Sequence, residues 1–118
     1  MDTTKSYKYL IVWQKSMQLV KEIYAVTKLM PIIEMYILIS QMLRAAISTP
    51  SNIAEGYKRN SRNEYKQFLA IANASAGELE TQILIAKEEY QNIDFSKAEI
   101  LVVEIQKILH TIILKLSL

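Results

Sequence analysis

Apolar residues recur at three- and four-residue spacing along most of this chain, a pattern that favours long amphipathic helices over any other element. Four segments carry it. In the first, about Lys8 to Leu29, Trp13, Met17, Val20 and Tyr24 follow a 4-3-4 spacing, with Val12, Leu19, Ile23, Val26 and Met30 widening the stripe. Pro31 ends that helix or opens the next. The second runs from about Ile32 to Tyr57, with Gly56 as its terminator. Pro50 lies inside it and leaves the Ala46 carbonyl without its usual partner, which predicts one helix kinked at Pro50. The third opens on Ser61-Arg62-Asn63-Glu64 and the fourth on Ser96-Lys97-Ala98-Glu99, two capping boxes. Tyr65, Phe68, Leu69, Ala72, Ala76, Leu79, Ile83, Ala86 and Tyr90 stripe the third; Leu101, Ile105, Ile108, Ile112 and Leu116 stripe the fourth, broadened by Val102, Leu109 and Ile113.

The links between these segments are a few residues each, so sequential helices are expected to be antiparallel neighbours. The expected fold is all-α, an up-down-up-down four-helix bundle in a single domain spanning residues 1–118. Apolar residues remain outside the main stripes: Ile33, Ile37, Leu43 and Ile47 on the second helix, and Ile100, Val103 and Leu114 on the fourth. Surplus apolar faces point to a subunit contact.

Composition removes much chemistry. The chain has no cysteine, two glycines and one histidine. The missing cysteine rules out disulfides, zinc ribbons and iron–sulfur clusters, two glycines are too few for a phosphate-cradling loop, and a single histidine argues against a Ser-His-Asp triad. A carboxylate-bridged di-metal site needs Glu-x-x-His pairs, and His110 is preceded by Gln106-Lys107. No cofactor is expected. The opening Met1-Asp2-Thr3-Thr4-Lys5 lacks an apolar signal core, and no apolar run approaches the ~20 uninterrupted residues of a membrane span. A soluble, cytoplasmic protein without a membrane partner is the expectation.

The net charge of +2 is unevenly spread: residues 56–77 carry +3 and residues 78–118 carry −3. The basic island holds Lys58, Arg59, Arg62 and Lys66, with Tyr57 and Tyr65 beside them. These cations could meet phosphates at a helix–helix corner, with a tyrosine stacking on an unpaired base. They also fit a solvated corner with no partner. On the second helix, Glu34, Gln41, Ser48, Asn52 and Glu55 fall within about 60° of one another at about 100° per residue. That stripe reads as a wet face or as a polar network fixing register at a subunit interface. Glu34 and Glu55 lie about 31 Å apart along a helix, too far to share a substrate. Gly77 sits mid-helix in a run of small residues, where close approach of a neighbouring backbone would offset its cost of about 1 kcal/mol. Trp13 reads as a core or interface anchor, His110 as solvated, and the methionines as core filler.

Longer strings are more specific. They are Trp13-Gln14; Pro31, Glu34, Leu38, Gln41 and Arg44-Ala45; and Ser48-Thr49-Pro50-Ser51-Asn52-Ile53-Ala54-Glu55-Gly56. Arg59-Asn60-Ser61, Glu64-Tyr65, Phe68-Leu69, Ala72 and Glu78-Leu79-Glu80-Thr81 continue them. Over about residues 7–90 the chain closely resembles the bacterial four helix bundle protein family, also called the 23S rRNA-intervening sequence protein family. The resemblance implies a small, non-enzymatic all-α protein that assembles into a cyclic homopentamer with a basic outer or channel surface. Some members are encoded within insertions of the large ribosomal RNA gene, hence a ribosomal-protein label. A related branch, the accessory variability determinant of diversity-generating retroelements, binds a reverse transcriptase and nucleic acid. By position, Gln41, Arg44, Ser48, Asn52, Glu55 and Gly56 match the signature, and Arg59 and Arg62 match its basic corner. Leu43 stands where a second arginine is common, Lys58 where a small residue is frequent, and Ala74 and Gly77 in a stretch more often Gly-Ser-Leu-Arg. The expectation is RNA binding through Lys58, Arg59, Arg62 and Lys66, with Gln41, Arg44, Ser48, Asn52, Glu55 and Gly56 holding subunit contacts in register. The alternative is a protein scaffold for a partner such as a reverse transcriptase.

Overall fold

The computed structural model describes residues 6–118; the opening stretch 1–5 lies outside them. The described chain is all-α, with four helices and no strand. They are α1 (Ile11–Thr27), α2 (Ser40–Tyr57), α3 (Arg62–Glu89) and α4 (Ser96–Leu116). α1 and α3 each pack on both α2 and α4, and α2 against α3 is the most extensive pairing. The unit measures 47 × 25 × 22 Å.

The helices begin differently from the expectation. The first is preceded by a separate 3-10 turn, Tyr7–Tyr9, because Leu10 is extended and breaks the run. The second starts as a 3-10 turn, Ile32–Glu34, followed by a π turn, Met35–Ile39, before regular α geometry at Ser40. The wider π turn lets the adjacent residues Leu38 and Ile39 both enter the core, while Ile32, Ile33, Tyr36 and Ile37 remain exposed. α2 then runs unbroken through Pro50 to Tyr57. Around the proline, Thr49 Oγ1 donates to the Ala45 carbonyl (3.0 Å) and Ser51 Oγ to that of Ile47 (2.7 Å).

Ser61 caps α3 by accepting the Glu64 amide at 3.2 Å, as the sequence predicts. The second capping box does not form. Ser96 lies inside α4, its amide donates to Asp94 Oδ1 at 2.9 Å, and Glu99 pairs instead with Lys87 at 3.1 Å. Because the helix already begins at Ser96, the Glu99 amide that its hydroxyl would cap donates to the Phe95 carbonyl at 2.9 Å, and the bonds from Ser96 hold the Asp94 carboxyl below the usual range.

The core is a single cluster containing Val12, Leu19 and Ile23 of α1, Met42 and Ile53 of α2, Leu69, Leu79 and Ile83 of α3, and Val102, Ile105 and Leu109 of α4. On α1 this corrects the predicted stripe: Val12, Ser16, Leu19, Ile23 and Val26 face inward, and Trp13, Met17, Val20 and Tyr24 form a more open shoulder. The methionines divide likewise, with Met30 and Met42 buried and Met17 and Met35 exposed; Met1 lies outside the described residues. The Ile32–Tyr57 segment holds an 18-residue window of mean hydropathy 1.2, apolar enough by composition to cross a membrane, but Glu34, Arg44 and Glu55 interrupt the segment and it packs here on α1 and α3.

Both glycines act otherwise than predicted. Gly56 does not terminate α2: it lies within the helix, and no glycine has positive φ. At Gly77 no neighbouring backbone approaches closely; an added Cβ would meet the Gln106 Oε1 atom at 3.5 Å, an ordinary contact. Gly77→Ala therefore adds helix propensity without a clash. It is expected to stabilise the fold by about 1 kcal/mol, and a lowered thermal midpoint would refute this.

Candidate nucleic-acid interface

The basic residues gather where α2 ends and α3 begins. Lys58 caps α2, Arg62 starts α3, and both are exposed; Lys66 is half-buried one turn into α3. Tyr57 and Tyr65 meet edge to face beside them, ring centroids 6.0 Å apart. Burial raises the Tyr65 hydroxyl pKa above its ordinary value.

Arg59 is placed differently from its neighbours. Its Nη2 donates to Glu55 Oε1 at 2.7 Å, and its guanidinium lies over the Phe68 ring, 4.9 Å from the centroid. One charge is thus neutralised and the plane stacked, a geometry that suits arginine better than lysine. Arg59 buttresses the corner, leaving Lys58, Arg62 and Lys66 outside every ion pair among the described residues.

The polar stripe of α2 divides. Asn52 Nδ2 donates to the Ser48 carbonyl (2.8 Å) and to Ser48 Oγ (3.0 Å), and Ser48 Oγ shares a hydrogen bond with Ser75 Oγ of α3 (2.8 Å). Ser48 and Asn52 therefore join two helices of the same chain. Glu55 holds Arg59, while Gln41 and Arg44 are exposed. Glu34 belongs to the 3-10 turn before α2, where its carboxylate accepts from the Tyr90 hydroxyl at the end of α3. Ser75, Phe68 and Tyr90 were not singled out by sequence as partners; the register of α2 on α3 supplies them, and no spacing within one helix encodes it.

Gly56 governs how closely that corner closes. A Cβ there would sit 2.7 Å from Phe68 Cβ and 3.1 Å from Tyr65 Cδ1. The lack of a side chain at position 56 lets α3 approach near enough for Arg59 to reach Phe68.

The sequence profile of 23S rRNA-intervening sequence proteins matches residues 8–113. The chain belongs to the 23S rRNA-intervening sequence protein family. This membership spans all four helices, including α4, where the sequence motifs had been thinnest. No curated protein sequence matches the chain.

The Glu34–Tyr90 contact in this family member has a measurable consequence. The hydrogen bond to the carboxylate, then partial burial, pushes the Tyr90 hydroxyl pKa up to about 12 from 10.0. A raised folded-state pKa contributes stability that is complete below pH 10 and lost as pH climbs through 12. Glu34→Gln is expected to bring the Tyr90 ionisation back toward 10.0, read by spectrophotometric titration against a Tyr90→Phe control. An unchanged titration would show that Glu34 does not set it.

Proposed function

We propose that this protein is a non-enzymatic, cytoplasmic, homo-oligomeric four-helix bundle, a pentamer by its family resemblance, that binds structured RNA through the α2–α3 corner. The observation that carries the reading is the set of three cations, Lys58, Arg62 and Lys66, on one helix–helix corner without carboxylate partners among the described residues. Assembly would repeat that set around a ring, and phosphate contacts add. Arg59, paired with Glu55 and stacked on Phe68, buttresses that surface. Within this reading the helices run up-down-up-down with a bend at Pro50. Contacts of Glu34 with Tyr90, Ser48 with Ser75, and Gly56 with Phe68 support antiparallel α2 and α3, and Lys87–Glu99 and Glu80–Gln106 do so for α3 and α4.

Fluorescence anisotropy with a labelled RNA hairpin tests it. The wild-type chain is expected to bind with strong salt dependence, log K falling by about 0.9 per log unit of salt for each phosphate engaged. Changing Lys58, Arg62 and Lys66 together to glutamate is expected to weaken binding more than about tenfold at low salt and flatten that slope, with the helices intact. Binding indifferent to salt, or its absence in a folded assembly, overturns the RNA reading. Co-purification of a protein without RNA would then favour a scaffold role.

A further inference from the structure

The stretch from Leu29 to Ile37 joins α1 to α2, where a polar turn is the ordinary choice. Here it is apolar and uncovered. Leu29, Ile32, Ile33, Met35, Tyr36 and Ile37 are all exposed, Ile32 at 84% and Tyr36 at 92%. The π turn sends Leu38 and Ile39 into the core and leaves the residues before them outside it. Single exposed isoleucines are normal on a folded surface, but six large apolar side chains within nine positions form a patch.

The charges around this tip narrow what can cover it. From Leu29 to Leu43 the sole charged residue is Glu34, and its half-buried carboxylate accepts from the Tyr90 hydroxyl. Protein interfaces carry about one hydrogen bond per 100–200 Å² and a polar rim that fixes register. The tip has no free charge to give a protein partner that register. Charges begin at its border, and they are of both signs. Lys28 precedes Leu29, and Arg44 follows Ile37 by seven residues, about 10 Å along the helix. Glu88 and Glu89 end α3 beside Tyr90. All four are exposed and outside every ion pair among the described residues. A neutral apolar tip with a rim of mixed sign complements a zwitterionic lipid surface, where each headgroup carries a phosphate and an amine above hydrocarbon. A tyrosine among isoleucines suits that boundary, its ring apolar and its hydroxyl wet.

We propose that the Leu29–Ile37 tip inserts into the interface of a zwitterionic phospholipid bilayer, docking the chain on a membrane by its apolar end. No spanning run is needed, because an interfacial element seats only about 5–10 Å deep. The contact is independent of the RNA reading. The basic corner lies at the far end of α2, whose 18 residues extend about 27 Å, so it stays clear of the lipid.

Flotation of the full chain with phosphatidylethanolamine–phosphatidylcholine vesicles tests this. The wild-type chain is expected to float with the vesicles. Added phosphatidylglycerol is expected to leave the bound fraction unchanged, because the rim carries both signs. Changing Ile32, Ile33, Tyr36 and Ile37 together to serine is expected to weaken partition more than about tenfold, with the helices intact by circular dichroism. The pair Ile32→Ser and Tyr36→Ser replaces that variant if it does not fold. Tyr36→Trp in a Trp13→Phe background is expected to shift its emission to the blue when vesicles are added. Changing Lys58, Arg62 and Lys66 to glutamate is expected to leave flotation as in the wild type. A wild-type chain that stays in the unbound fraction overturns the proposal, as does a serine variant that floats equally well. Binding that requires phosphatidylglycerol, or that the glutamate variant loses, puts lipid on the basic corner and overturns it too. A serine variant of lower mass than the wild type by light scattering without lipid means that another copy covers the tip, and the membrane contact falls.

Discussion

Gly56→Ala is expected to lower the thermal midpoint, although alanine is the better helix former. Two effects oppose each other. The substitution recovers about 1 kcal/mol of helix propensity. Against it stands a Cβ placed 2.7 Å from Phe68 Cβ, a separation that real Cβ atoms do not hold. Phe68 Cβ is one bond from backbone and cannot swing aside, so α2 and α3 must part locally. Overpacking of this kind costs about 1–3 kcal/mol and sometimes more. The clash is expected to win by about 1–2 kcal/mol, or about 4–8 °C for a chain of 118 residues. Gly56→Val, larger and with less propensity to gain, is expected to cost more. The separation also lifts Phe68 from Arg59, so Gly56→Ala should loosen the corner as well as the fold. Thermal unfolding of Gly56→Ala beside Gly77→Ala checks both: opposite signs are expected from one chemical change in two helices. A stabilised Gly56→Ala would mean that the corner is looser than 2.7 Å implies.

The second large effect is expected from Ile83→Ala, with Ile85→Ala as its control. The two isoleucines lie two residues apart on α3, Ile83 fully buried and Ile85 49% exposed. Truncating Ile83 removes buried methyl groups and leaves a cavity in the core, at a cost of about 2–5 kcal/mol. A chain of this length has about 6–18 kcal/mol of stability in total, so that loss is severe. Ile85 loses far less, about 1 kcal/mol or below, because solvent already touches it. Denaturant titration separates the two by their midpoints at unchanged slope. Equal losses would place the core of α3 on the wrong face.

Much of the architecture is legible in the periodicity. On α3 the predicted stripe of Leu69, Ala72, Ala76, Leu79, Ile83 and Ala86 is the buried face. On α1 and α4 the inward direction was displaced. Trp13, Met17, Val20 and Tyr24 form as good a helical line as Val12, Ser16, Leu19 and Ile23, so spacing alone could not rank them. Burying Ser16 became acceptable once its hydroxyl could donate to the Val12 carbonyl at 2.7 Å, a bond within one turn that hydropathy does not register. The basic corner was similarly visible as a list of charges, but not which charge was already taken.

Local order in the chain was enough to establish four helices, their short links, the Ser61 cap and the cationic stretch from Lys58 to Lys66, since each depends on residues within a turn or two of one another. Which face turned inward, why Gly56 must lack a side chain, and how Arg59 is divided between Glu55 and Phe68 were settled when α2 met α3. Helices that are apolar around more than half their circumference offer several faces of similar hydropathy. Steric fit and hydrogen bonding between residues far apart in sequence, such as Ser48 and Ser75, choose among them.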